Sequence, residues 1–399
     1  MSASGTAGPA LAGVPVVFWL FAATLAGVLI AHRRATTVAV AGLVVIAGVR
    51  IAFSRFDAVA YLAEEAPKLL NLFGLLVGFA VLADHFDGSH AGARLPRLLP
   101  AGRAGCFVLL LVIWILSGLL DNIAAATIGA ALATRVFAGK VHLAYLIALV
   151  AAANAGGAGS VVGDTTTTMM WLDGVSPLRV LPAYIGSAVA LLLFGSVAAM
   201  AQHRHAPLVA ADGEETPLDG GRLAIAGLAL VALVAANVAA SVLLGARANR
   251  LPLTALVLWA VLAAGAVVRP VHWRLAGEAA RGSVLLLALV GAASLMPVDE
   301  LPPPSTVTTF GLGLLSSLFD NIPLTKLALD QGGYDWALLA YAVGFGGSML
   351  WFGSSAGVAV ANRFPEARST IAWLRHGWPV PIAFVIGFAA QRAIAGWNP

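Results

Sequence analysis

The sequence predicts an all-α polytopic membrane protein made of two inverted repeats, with about ten transmembrane helices, two re-entrant hairpins and two broken helices. Three observations lead there. First, 60% of the 399 residues are hydrophobic and 11% charged, against about 25% charged in soluble domains. Second, apolar runs near 11–31, 36–53, 66–84, 180–201, 223–246, 251–268, 280–297 and 377–396 approach or exceed the roughly 20 residues that span a bilayer. Third, two motifs recur in the same order in both halves, the mark of an internal duplication.

The first motif is "SGLLDNIAAATIG" at 117–129, answered by "SSLFDNIPLTKLA" at 316–328. The runs around Asp121-Asn122 and Asp320-Asn321 have an awkward length: 31 residues separate Arg103 from Arg135, and 29 separate Glu300 from Asp330. That exceeds one span and falls short of two. Re-entrant hairpins over 104–137 and 301–330 fit, with the Asp-Asn pair at each tip. Irregular backbone is tolerated at membrane depth only where protein buries it. The second motif is Gly-Gly-x5-Gly followed by a polar residue, from Gly156, Gly157 and Gly163 to Asp164, and from Gly346, Gly347 and Gly353 to Ser354. These runs, 141–172 and 335–362, are also too long for a plain span. Their glycines weaken a helix at its centre, so each is expected to be a broken helix.

The only long polar connection, 203–221, separates a first repeat (1–202) from a second (222–399). Scaffold spans at 11–87 and 223–297 precede the hairpins, and single spans at 180–201 and 377–396 close each half. With hairpins not counted as crossings, each half crosses an odd number of times, which inverts the second. The positive-inside rule favours outward termini, because Arg33, Arg34, Arg94, Arg97, Arg103, Arg135, Lys140, Arg204, Arg222, Arg269 and their neighbours then lie in the cytoplasm, as does the 203–221 linker. The N-terminus has no basic stretch before its apolar run, so the first segment is expected to be a retained span rather than a signal peptide. The lone Cys106 excludes an internal disulfide, and no Cys/His cluster suggests a structural zinc. The basic excess is explained by topology, with no nucleic-acid partner.

At the midplane this topology collects Asp121, Asn122, Asp320, Asn321 and the polar centres of the broken helices, namely Asn154, Asp164, Thr165, Ser348 and Ser354. Carboxylate, amide, hydroxyl and freed carbonyl oxygens are what a hard cation binds. A carboxylate withdrawn from water takes up a proton or a cation rather than stay bare. Na+ is therefore expected at Asp121, Asp164 and Asp320, in competition with protons. Asp and Asn are also good N-caps, so Asp121 and Asp320 are expected to cap the second arm of each hairpin as well. Lys326 is read as an interfacial snorkelling lysine, with pairing to Asp320 as the alternative. Glu64 and Glu65 are read as a surface pair, and most histidines as solvated. Trp171 and Trp351 are read as packing residues.

These stretches, "AAANAGGAGSVVGDTTTTMMW" (151–171), "DNIPLTKLA" (320–328) and "GGSMLWFGSSAGVAVAN" (346–362), resemble the ion transporter superfamily, which includes citrate transporter-like and arsenite permease-like domains. Within it they resemble the NhaD-type bacterial sodium/proton antiporters. The resemblance implies inverted repeats, two hairpins, a homodimer in the inner membrane, and an elevator motion of a hairpin-bearing unit against a scaffold. It implies no cofactor beyond the transported Na+ or Li+ and H+, and no enzymatic activity. Relatives that carry organic dicarboxylates have neutral Ser-Asn-Thr tips. The two Asp-Asn-Ile tips here would repel an anion, which places a citrate- or arsenite-type permease second. An intramembrane aspartyl protease is the remaining alternative, since Gly163-Asp164 resembles its Gly-Asp. That chemistry needs a second aspartate in a Tyr-Asp setting, and Tyr334-Asp335 lies at a predicted helix end.

Overall fold

The computed structural model describes residues 9–31, 34–54, 56–91, 99–208, 217–244 and 251–399. Arg33, Arg94, Arg97 and the middle of the 203–221 connection lie outside them. Among the described residues the regular structure is helical apart from a two-residue antiparallel pairing of Ala10–Leu11 with Val14–Pro15. The first half runs α1 (Val16–Ile30), α2 (Ala35–Phe53), α3 (Ala58–Gly88), α4 (Gly102–Ser117), α5 (Asn122–Val136), α6 (Leu143–Gly157), α7 (Thr165–Leu172), α8 (Pro177–Val180) and α9 (Ala183–His205). The second runs α10 (Gly220–Leu244), α11 (Leu253–Ala266), α12 (Trp273–Ser294), α13 (Thr306–Ser316), α14 (Asn321–Gln331), α15 (Trp336–Gly346), α16 (Ser355–Arg363), α17 (Thr370–Gly377) and α18 (Pro379–Ala395).

This is a multi-pass membrane protein. Among the described residues, Ala35–Phe53, Ala58–Gly88, Pro177–His205 and Trp273–Ser294 are each long and apolar enough to cross a bilayer, and α17 with α18, bent by 57°, makes a fifth candidate. Other expected spans are shorter apolar helices, such as Leu253–Ala266. Large apolar side chains point outward on many helices, among them Val44, Leu178, Val231 and Ile382. In water such a surface would be unfavourable, whereas in lipid it costs nothing.

Both Asp-Asn stretches are helix–turn–helix units, and both Gly-Gly stretches are helices broken in the middle. Each turn has the same local cause. Asp121 Oδ2 accepts from the Ile123 N–H at 3.1 Å, and Asp320 Oδ1 from the Ile322 N–H at 3.1 Å, so each carboxylate starts its second arm. The two ends of the second unit meet at one end of the molecule, where Gln331 Nε2 donates to the Pro302 carbonyl at 2.9 Å. Its arms therefore enter and leave together. The first unit does the same, since Gly102 approaches His203 and Gln202 Nε2 donates to the Lys140 carbonyl at 3.0 Å.

The broken helices pack between the hairpins, and the contact needs glycine. A Cβ on Gly163 would stand 2.2 Å from the Ser117 carbonyl oxygen, and one on Gly353 would stand 2.5 Å from that of Ser317. Gly156 and Gly346 meet the Trp114 and Gly313 carbonyls in the same way, at 2.0 and 2.2 Å. Serines lock the helices together, Ser117 Oγ donating to the Ala153 carbonyl at 2.5 Å and Ser316 Oγ to that of Val343 at 2.7 Å. The two halves thus repeat one packing scheme. A separate apolar cluster, including Phe21, Leu25, Ile46 and Leu289, joins α1 and α2 to α12.

Two expectations about charged residues are overturned. Glu65 is buried, so Glu64 and Glu65 are not a surface pair. Lys326 is also buried and bonds Glu65 and Asp330, so it neither snorkels nor pairs with Asp320. In both cases a neighbouring helix covers a side chain that local hydropathy leaves exposed. Among the described histidines only His85 is buried; the others keep partial or full exposure, with the His205 and His376 rings packed edge to face on His142.

Candidate functional site

The hairpin tips and broken helices converge on one buried carboxylate. Asp164 is 1% exposed and occupies the N-cap position of α7, yet its side chain caps nothing. It turns inward instead. Oδ1 accepts from Asn122 Nδ2 of the first tip at 2.8 Å, and Asn321 Nδ2 of the second tip lies 3.2 Å from both carboxylate oxygens. Asn122 Nδ2 also donates to Asn154 Oδ1 at 3.1 Å. Asn154 Nδ2 in turn donates to Ser348 Oγ at 3.0 Å and Ser354 Oγ at 2.9 Å. Two hairpins and two broken helices therefore share one hydrogen-bonded cluster with a single carboxylate.

Ser354 shows what Asp164 has given up. It holds the matching position, directly after the last glycine of the repeated motif, and its Oγ accepts from the Gly357 N–H at 3.2 Å as the N-cap of α16. A cap contributes about 1 kcal/mol. Asp164 forgoes it, and the amides from the tips take both of its oxygens. The end of the α7 helix dipole still favours its negative charge. Gly344, which matches Asn154 in the second half, lets the α15 backbone come close to the carboxylate: a Cβ there would lie 3.2 Å from Asp164 Oδ2.

Six of the nine expected ligands, Asn122, Asn154, Asp164, Asn321, Ser348 and Ser354, are brought together directly. Asp121 and Asp320 stand beside them, half-buried, as caps. Asp320 Oδ2 also accepts from Ser355 Oγ at 3.0 Å, a partner that its adjacency to Ser354 could have suggested. The Thr165 hydroxyl makes none of the cluster's hydrogen bonds. Thr167 and Thr168 instead close the turn, each donating to the Asp164 carbonyl at 2.9 Å. Asp335 is no second catalytic aspartate, since its oxygens accept from the Leu338 and Asn398 N–H groups at 2.9 Å.

No protein-family profile matches the chain. Sodium/proton antiporter 1 of Arabidopsis thaliana is 27% identical over 325 residues, which is 71% of this chain and 52% of that protein. Sodium/proton antiporter 2 of the same plant is 26% identical over 347 residues, 77% of this chain and 78% of that protein. The Na(+)/H(+) antiporter NhaD of Alkalimonas amylolytica is 34% identical over 90 residues. The chain is similar to sodium/proton antiporters. The NhaD-type resemblance carried by its motifs agrees with these relatives, which are transporters rather than enzymes. The chain spans about half the length of the first of them, at 52%.

Proposed function

We propose that the chain is a secondary active antiporter that exchanges cytoplasmic Na+ or Li+ for external protons. The observation that carries this is the Asp164 carboxylate, buried, withheld from capping and held by an amide from each hairpin. A carboxylate so placed must be neutralised to cross a membrane, and either a proton or a monovalent cation does that. Competition for one group couples the two fluxes. The carboxamides of Asn122 and Asn321 suit both states: their NH2 groups satisfy the bare carboxylate, and a half-turn about the last torsion presents their oxygens to a cation. Ser348 and Ser354 supply further neutral oxygens through Asn154. Asp121 and Asp320 flank the site and add negative potential for the cation. The two helix–turn–helix units act as re-entrant hairpins that open to opposite sides. They move as part of an elevator-type unit in a homodimer, in a bacterial inner membrane with both termini outside.

In everted membrane vesicles holding a respiratory pH gradient, Na+ or Li+ should collapse the gradient, and citrate should not. Asp164→Asn keeps the hydrogen-bonding shape and removes the charge. It should abolish the response, and an undiminished response in that variant would end the proposal.

A further inference from the structure

Away from Asp164, buried charge ties the second hairpin to α3. Lys326 Nζ of α14 lies 3.0 Å from Glu65 Oε2 of α3, with the two side chains 5% and 10% exposed. Each partner also has a companion on its own helix. Lys326 reaches Asp330 at 2.7 Å, and Glu65 reaches Lys68 at 3.0 Å. Lys68 continues to Asp173, just beyond α7, at 3.7 Å. Beside this network is a small cleft of about 30 Å³, lined by Leu69 and Leu72 of α3, Met169 of α7, Val290 of α12 and Leu329 of α14.

Three features distinguish this from ordinary packing. A buried ion pair adds little stability over apolar residues of the same size, and its best attested use is to fix register or a switch. The first hairpin has no counterpart: six residues after Asp121 stands Thr127, exposed, with its hydroxyl bonded to the Ile123 carbonyl of its own helix. Finally, the pair can separate without stranding a charge, because Lys326 keeps Asp330 and Glu65 keeps Lys68.

We propose that Glu65 and Lys326 form a clasp that fixes the second hairpin against α3 in one state of the transport cycle and opens each time the hairpin moves. Lys326 is then a positioning residue for transport, not an ion ligand. This rests on the antiporter reading above, in which the hairpin moves against the scaffold. In a Cys106→Ala background, cysteines at Leu69 and Leu329 face the same cleft and leave the network intact. Bridging them with a cleavable bifunctional thiol reagent should lower Na+/H+ exchange at least tenfold, and cleaving the bridge should restore it. Bridged protein that exchanges at the unbridged rate would overturn the clasp. A second arm reads no flux and so separates failure of the clasp from failure of the antiporter reading. With Leu329→Cys alone, the paired neutral change Glu65→Gln with Lys326→Met should raise labelling by a water-soluble thiol reagent several-fold. Unchanged labelling would equally overturn the proposal.

Discussion

At the scale of single residues, the two kinds of aspartate can be told apart by one substitution. Asn caps a helix about as well as Asp, so Asp121→Asn retains the bond from the Ile123 N–H and removes only the charge. The melting temperature in detergent should hold while Na+/H+ exchange falls at least tenfold, because the flanking negative potential is lost. Asp121→Ala loses the cap as well and should melt lower, by the equivalent of about 1 kcal/mol. If Asp121→Asn exchanges like the parent, Asp121 is a cap and nothing more. Gly163 tests the packing beneath the site. Its added methyl would stand 2.2 Å from the Ser117 carbonyl oxygen, and neither backbone can retreat without disturbing the tips. Gly163→Ala should destabilise by about 1–3 kcal/mol, as overpacking does, measured as a loss of thermal stability.

At the scale of elements, caps and termini carry the pH dependence. Asp219, in the connection ahead of α10, accepts from Arg269 Nε at 2.7 Å and from the Arg222 N–H at 3.1 Å. The Arg269 guanidinium, first, and then that N–H hold its carboxyl down to about 2. A depressed carboxyl stabilises the fold above the ordinary carboxylate range, and the contribution is lost as pH falls through the folded value. Acid titration of the parent from about pH 4 towards 2 should therefore lower the melting temperature more than the same titration of Asp219→Asn. At α6 the cap is an imidazole: His142 Nδ1 accepts from the Ala144 N–H at 3.2 Å, with the His205 and His376 rings packed 5.3 and 5.4 Å away. A protonated Nδ1 cannot accept, so His142→Asn should keep its stability below about pH 6, where the parent loses it. The sequence made these element ends only partly legible. The first three turns of α3 carry Glu64, Glu65 and Lys68, and α17 carries Arg375 and His376, so neither segment reads as apolar. Partners from elsewhere in the fold meet several of these groups, Lys326 at Glu65, Asp173 at Lys68 and His142 at His376, information held in no local window.

At the scale of the whole molecule, the duplication was legible because both motifs repeat with their spacing, and so was the meeting of the two tips. Which side chains would meet was not. The sequence puts Asp first in each Asp-Asn pair and suggests carboxylates at the centre, but capping turns Asp121 and Asp320 aside and sends Asn122 and Asn321 inward. Nor could the motif alone show that the halves are unequal in charge. Asn154 and Asp164 in the first half correspond to Gly344 and Ser354 in the second, so a near-symmetric frame encloses one charge. On the proposed exchange that inequality matters, because two facing carboxylates would need two counter-charges to cross the membrane. It also puts only a hydrogen of Gly344 against Asp164, where a methyl would sit 3.2 Å from Oδ2. That distance calls for a shift of only a few tenths of an ångström, so Gly344→Ala should fold with a stability change of about 1 kcal/mol or less. It should nevertheless crowd the oxygen that an arriving cation must reach. A hydrated-to-bare exchange of Na+ is more sensitive to that crowding than a proton, which needs only one lone pair. The Na+ concentration for half-maximal collapse of the pH gradient should rise several-fold in Gly344→Ala, and more for Na+ than for the smaller Li+. Equal shifts for the two ions would mean that the Gly344 side of Asp164 is not the way in.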